Sequence, residues 1–300
     1  MIVPWHGDSS ALTAGRAVLV GFPQDEGVRR NGGRPGAAEA PAEIRRWLAR
    51  LGTWDPAGDT DLAAFPPVDI GNIRISGTLE ETQQALGEVV AGLLQRRAVP
   101  VVLGGGHETA FGHYLGYAAE RRPVGIINLD AHLDVRPVVN GLGHSGTPFR
   151  QALEHADHLL PGEHYVCLGA QPHAVSRQHL DWARERGCVV RWRAECAGTL
   201  RKLFAAELKR LTKVKCQVYV TIDADAVDAA WVPGVSAPNT LGLSAEEVAE
   251  CTRAAGESPV VASLDVVEIN PRFDLDGRSA RWAALVVWHF LAGLARRPLP

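Results

Sequence analysis

The feature that most constrains the fold is an alternation between two hydrophobic periods. Short runs rich in β-branched and other apolar residues, over 17–22, 101–103, 124–129, 165–168, 189–192, 217–222 and 260–264, read as strands. Several are apolar at nearly every position, the pattern of strands covered on both faces. Segments with helical spacing lie between them, over 41–51, 79–97, 107–121, 175–185, 200–211, 245–255 and 278–296. Ser244 followed by Glu247 marks one helix start with a capping-box pattern. Parallel strands require long crossovers, usually helical, so this order predicts an α/β chain. The expected architecture is a three-layer α/β/α sandwich around a central, mostly parallel sheet. No repeat, low-complexity tract or Gly/Ser linker interrupts the 300 residues, so residues 1–300 are expected to form a single domain.

Composition serves to exclude. With 31 Lys+Arg against 34 Asp+Glu the net charge is −3, without the basic excess of a nucleic-acid or membrane-surface binder. The longest uncharged apolar stretch, 282–295, is shorter than the ~18 residues that suggest a membrane span. The start of the chain lacks a basic segment followed by an apolar one, so no signal peptide is expected. Cys167, Cys188, Cys196, Cys216 and Cys251 are scattered, odd in number and form no C-x-x-C pair. They read as reduced, buried thiols of a cytoplasmic protein.

Three stretches dense in Gly, Pro and Asn break the alternation, over 29–36, 137–148 and 231–242, and read as loops. In parallel sheets, function gathers in loops beyond the carboxyl ends of the strands. Three apolar runs end in chemistry-bearing residues. One ends in Asp130-Ala131-His132-Leu133-Asp134. If the chain stays extended there, alternate side chains place three metal-ligand types on one face, about 7 Å apart. A second ends in Asp223-Ala224-Asp225 and a third in Gly104-Gly105-Gly106-His107. The triple glycine is not a dinucleotide loop, because Thr109 stands where that fingerprint needs its third glycine.

If these ends meet, Asp130, Asp134, Asp223 and Asp225 bring four negative charges together. Two carboxylates sharing a site already repel enough to shift a pKa strongly. Two divalent cations, carrying +4, balance the set, and such pairs sit roughly 3.5–4 Å apart. The donors are carboxylates and the imidazoles of His107 and His132, with no thiolate. That chemistry suits Mn2+, with Fe2+, Co2+ or Zn2+ as substitutes.

Together the motifs resemble the ureohydrolases, the family that includes arginase and agmatinase. The residues that carry the resemblance are Gly104–His107, Asp130–Asp134, Asp223-Ala224-Asp225 with Asp228, Pro233-Gly234-Val235 and Glu268-Ile269-Asn270-Pro271. They match in order and spacing and span nearly the whole chain. The resemblance implies an arginase-like fold and a dimanganese amidine hydrolase with two Mn2+ per subunit. It implies that His107 and Asp134 bind one metal, that His132 and Asp225 bind the other, and that Asp130 and Asp223 bridge. By the same resemblance Glu268 pairs with the amidine cation. Asp134 and His144 are the expected proton carriers to the leaving nitrogen, His144 competing with a role in holding a substrate carboxylate. Ala229 and Ala230 depart from the arginases, which have proline directly after the residue matching Asp228.

Glu108 after His107, the loop His144–Arg150 and the segment 29–36 resemble the branch that acts on N-formimidoyl-L-glutamate in histidine degradation, releasing L-glutamate and formamide. Such a small-molecule dicarboxylate calls for arginine, whose planar fork binds carboxylates bidentately. Arg29, Arg30, Arg34 and Arg150 are the expected substrate-binding residues. The alternatives are a sibling hydrolase that releases urea from a guanidino compound, and a catalytically silent metal-binding paralogue. The family also leads us to expect a homo-oligomer. Asp265 is assigned a supporting hydrogen bond. His113, like the other remaining histidines, matches no ligand spacing.

Overall fold

The computed structural model describes residues 2–297, and its strands follow from the apolar runs. They are β1 (Val3–Pro4), β2 (Ala17–Gly21), β3 (Trp54–Asp55), β4 (Thr60–Asp61), β5 (Val68–Asn72), β6 (Val99–Leu103), β7 (Val124–Leu129), β8 (Tyr165–Ala170), β9 (Val189–Trp192), β10 (Gln217–Asp223) and β11 (Val261–Val267). β3 and β4 form a small antiparallel ribbon; the other nine make one sheet in the order β1-β5-β2-β6-β11-β10-β7-β8-β9. Every pair in that sheet is parallel.

The helices are α1 (Glu26–Arg30), α2 (Ala40–Leu48), α3 (Leu79–Gln95), α4 (Thr109–Ala119), α5 (Pro148–Leu153), α6 (Arg177–Glu185), α7 (Arg193–Cys196), α8 (Leu200–Lys213), α9 (Ala245–Glu257) and α10 (Arg278–Leu294). The alternation of side chains along the strands splits the core in two. Leu19, Val101, Leu103, Ile127, Leu129, Val220 and Ile222 pack with apolar residues of α2, α8, α9 and α10. Val18, Val20, Val102, Ile126 and Tyr165 pack with those of α3, α4, α5 and α6. The result is the expected three-layer α/β/α sandwich. Truncating a fully buried leucine such as Leu103 to alanine would cost about 2–5 kcal/mol. No helix among the described residues is long and apolar enough to cross a membrane.

Some local expectations change. At Ser244 only half of the capping box forms: Ser244 Oγ accepts from Glu247 N at 3.3 Å. The Glu247 carboxylate instead accepts from Leu200 N at 3.3 Å and ties the start of α8 to α9. A complete box forms at Thr78 and Glu81, ahead of α3. The loop expected over 29–36 begins in the last turn of α1. β5 and α5 carry no clear period. β5 is held by its neighbours β1 and β2 and by Arg45, whose guanidinium reaches Asp69 at 2.7 Å.

For function the central order β6-β11-β10-β7 matters most. The four strands are parallel, so their carboxyl ends lie on one edge. The register Leu103↔Val266, Val267↔Asp223 and Ile222↔Leu129 levels those ends.

Candidate metal centre

The six expected ligands leave the ends of three of these strands, and none sits as a simple extended continuation would place it, apart from Asp223, the last residue of β10. β7 stops at Leu129, before Asp130. An extended chain would set Asp130 and Asp134 roughly 13 Å apart, too far for one cation. Instead the backbone bends, and Asp134 takes a left-handed φ of 47°. Such a conformation is costly for a residue with a Cβ and persists where surrounding structure enforces it. Asp225 lies in a 3-10 turn, Ala224–Ala226, that Asp223 Oδ1 caps by accepting from Asp225 N at 2.8 Å. His107 follows the triple glycine in the turn before α4. A Cβ at Gly105 would collide with the Gln24 carbonyl, so glycine there lets the segment before α1 lie directly on the motif.

All six ligands converge. His107 Nδ1 lies 2.9 Å from Asp134 Oδ2, 2.9 Å from Asp223 Oδ2 and 3.3 Å from Asp130 Oδ2. His132 Nδ1 lies 3.2 Å from Asp225 Oδ2 and 3.4 Å from Asp130 Oδ1. The donors thus form two groups, His107 with Asp130, Asp134 and Asp223, and His132 with Asp130 and Asp225. Asp130 belongs to both, one oxygen turned to each. Asp223 belongs to the first group only, its other oxygen engaged with the Asp225 backbone. His132 keeps a solvent-facing edge, 22% exposed, whereas the aspartates and His107 are buried.

The residues fit a pair of divalent cations. His107 Nδ1 and Asp225 Oδ1 are buried with no hydrogen-bond partner among the described residues. Leaving such atoms unmatched is costly unless something else satisfies them. Burial opposes charge on both imidazoles, yet the surrounding carboxylates outweigh it and hold His107 and His132 well above the usual range. Burial likewise opposes charge on Asp130, yet the two imidazoles hold its carboxyl well below the usual range. Burial and then the Asp130 charge push Asp134 up. Burial, with Asp225 and Asp130 behind it, pushes Asp223 well up. A carboxylate-rich nest that retains protons in this way is one that cations can enter by displacing them.

Glu268, just beyond the end of β11, also takes a left-handed φ, 64°, and is buried. Its Oε1 accepts from the His107 backbone N at 2.8 Å. Burial and the Asp223 charge push its pKa well up. Glu108 is buried beneath α1, accepts from Gly27 N at 2.8 Å and is pushed by burial to about 8. Phe149 of α5 meets the His107 ring edge-on, with centroids 5.2 Å apart.

The rim is cationic. His144 is buried, its Nδ1 accepting from Gly146 N at 3.1 Å. Burial, aided by the Arg136 and Arg30 guanidiniums, pushes this imidazole below its usual range. The four expected arginines all have internal partners. Arg29 pairs with Glu26 at an exposed site. Arg30 pairs with Glu26 and Glu80 and donates to the Gly143 carbonyl at 2.9 Å. Arg34 donates to the Val235 and Ser236 carbonyls and stacks over Phe273. Arg150 pairs with Glu154 and covers Trp182.

Arg136, absent from the sequence expectations, is half-buried and donates to Asn31 Oδ1 at 3.0 Å. Its backbone N donates to Gly146 O at 2.9 Å, so it lies against the His144 loop. No carboxylate lies within ion-pair distance of it among the described residues. A sequence signal existed, since Arg136 follows Asp134 by two residues, but nothing local distinguished it from the other arginines.

Similarity to known proteins points the same way. Formimidoylglutamase from Citrobacter koseri is 41% identical over 281 residues, covering 93% of this chain and 85% of that one. Formimidoylglutamase from Rhodococcus jostii is 40% identical over 295 residues, covering 94% and 88%. The crystal structure of Trypanosoma cruzi formiminoglutamase with Mn2+ is 36% identical, with a TM-score of 0.86, and 94% of each chain is covered. The Arginase family model matches residues 15–293. With that match running through the ends of β6, β7, β10 and β11, where the donors converge, the chain belongs to the arginase family.

Proposed function

We propose that this protein hydrolyses N-formimidoyl-L-glutamate to L-glutamate and formamide at a dimanganese centre, as a step of histidine degradation in the cytoplasm. The observation that carries the reading is the two-part donor cluster sharing Asp130, set in a chain similar over almost its full length to formimidoylglutamases. Five cysteines buried as free thiols fit a reducing compartment.

Two Mn2+ held by His107, His132 and the four aspartates would acidify water and polarise the amidine, supplying a nucleophile that neutral water lacks. The remaining work belongs to the side chains. Glu268 stands beside the cluster to hold the cationic amidine carbon–nitrogen unit in place. Asp134 takes up the proton released as water adds to the formimino carbon, and His144 is the second carrier to the leaving nitrogen. The bond between that carbon and the glutamate nitrogen then breaks, the nitrogen takes the proton, and formamide and glutamate leave. His144 suits this role because its Nδ1 accepts from Gly146 N, which leaves the Nε2 edge to meet the leaving nitrogen. Arg136, next to His144 and without a carboxylate partner among the described residues, anchors a substrate carboxylate; Arg30 holds the Gly143 end of the same loop.

The second reading is a guanidino-compound hydrolase, which the same donor cluster would serve. The products separate the two. Incubated with Mn2+ and a panel of amidines and guanidines, the purified protein is expected to release formamide from N-formimidoyl-L-glutamate. Release of urea alone would establish the second reading, and no turnover of any panel member would leave a silent metal-binding protein.

A further inference from the structure

The end of α1 and the His144 loop meet at one side chain, Asn31. Its backbone N donates to the Gly27 carbonyl at 3.0 Å and closes the C-terminal turn of α1. The helix is fastened in turn to the residue after His107, because Gly27 N donates to Glu108 Oε1. From this fixed base the half-buried Asn31 amide bridges two residues of the loop. Nδ2 donates to Ser145 Oγ at 3.0 Å, and Oδ1 accepts from Arg136 Nη1 at 3.0 Å. A Cβ at Gly146 would come within 2.8 Å of Arg136 Cδ, so glycine there lets the arginine stem lie directly on the loop backbone.

The chemistry of the groups sets which way the amide faces. A guanidinium only donates, so the oxygen of Asn31, not its nitrogen, must meet Arg136. That oxygen carries no formal charge. It holds the guanidinium by a hydrogen bond and cancels none of its charge. Arg30 and Arg150, on the same margin, are held in the opposite way, by the carboxylates of Glu26 and Glu80 and of Glu154. The other N–H groups of Arg136 have no partner among the described residues. Its uncancelled charge is felt nearby: burial, then the Arg136 and Arg150 guanidiniums, push the His179 imidazole below its usual range.

We infer that Asn31 is a positioning residue that holds the Arg136 guanidinium in place without neutralising it, so that Arg136 keeps its charge and its free N–H groups for a carboxylate of the substrate. A carboxylate at position 31 would occupy the same place, pair with Arg136 and compete with the substrate for it. The inference rests on reading Arg136 as the seat of a substrate carboxylate.

Steady-state kinetics on N-formimidoyl-L-glutamate with wild type, Asn31→Ala, Asn31→Asp and Arg136→Ala test it, each protein being melted in parallel. Aspartate has the shape of asparagine and keeps both contacts, since the Ser145 hydroxyl can turn to donate to it. Alanine loses both contacts but leaves Arg136 charged. Asn31→Ala is expected to raise KM by roughly 2–10-fold, the loss of an ordinary hydrogen bond. Asn31→Asp is expected to raise it more, by roughly 10–150-fold, as loss of a charge-assisted contact would, and kcat should hold in both. A purely structural role gives the reverse order, with the isosteric aspartate the milder change, and that order overturns the inference. An unchanged KM in Asn31→Ala, or a fall in kcat at constant KM in either variant, overturns it too. If Arg136→Ala raises KM while Asn31→Asp does not, the inference alone falls. If Arg136→Ala leaves KM unchanged, the reading of Arg136 falls and takes the inference with it.

Discussion

The strand ends of β6, β7, β10 and β11 gather five buried carboxylates around two imidazoles, whereas the segments laced along their margin, 30–36 and 136–150, carry guanidiniums at partly exposed positions beside the buried His144. In the first region like charges are crowded, and two backbones, at Asp134 and Glu268, hold left-handed conformations. In the second, two of the four guanidiniums are already neutralised in pairs, Arg30 with Glu80 and Arg150 with Glu154. The difference teaches where function resides. A crowd of buried like charges is unstable without a ligand, so its purpose can be read from its composition. An arginine at a rim is informative only once its partners are known.

The comparison is broken most severely at Asp130, the one residue common to both donor groups. Asp130→Ala should abolish amidine hydrolysis and lower the bound Mn2+ measured per chain; full activity would mean the cluster is not the reaction centre. At the rim, Arg136→Ala removes a charge-assisted contact of roughly 1.5–3 kcal/mol, about a 10–150-fold rise in KM with kcat little changed. Steady-state kinetics would show the reverse pattern, lower kcat at constant KM, if Arg136 acted on the reacting atoms instead.

A third measurement sharpens the contrast through pH. His107 and His132 are displaced upward, as are Asp134 and Asp223, so the metal-free cluster retains protons that each cation must expel. Mn2+ affinity should therefore rise with pH, by about tenfold per pH unit for each proton displaced, and titrations in buffers of different ionisation enthalpy should register proton release. Affinity that fell with rising pH would contradict the assignment. The smallest effect is expected at Arg150→Ala, whose partly exposed pair with Glu154 contributes at most about 1 kcal/mol. Thermal melting should fall slightly and KM should not move; a large KM change would return Arg150 to the substrate site.

The two regions also differ in how far they were legible. The ligand types and the strand ends that bear them could be read in advance, because apolar runs stop where the aspartates and histidines begin. The bend at Asp134 could not, since an extended continuation was the simplest reading and the left-handed φ is imposed by packing around it. β5 escaped notice because Asp69 and Gly71 interrupt its apolar pattern, and its stability comes from pairing with β1 and β2 and from Arg45. Glu247 reached Leu200 rather than closing its own capping box, a choice between near and distant donors that local sequence does not encode. Among the arginines, Glu80 and Glu154, 50 and four residues from their partners, claimed two expected substrate ligands, while Arg136 was left without a carboxylate among the described residues.

By itself the sequence determined the layer architecture and the chemistry of the six donors, because hydrophobic period and side-chain type are local properties carried by each residue wherever it lies. Only the tertiary structure decided that β6, β11, β10 and β7 are neighbours, that Asp130 is shared, and that Arg136 lies against the His144 loop with Asn31 as its side-chain partner. Those outcomes depend on distances between groups up to about 160 residues apart, and electrostatic and hydrogen-bond energies are set by such distances rather than by order along the chain.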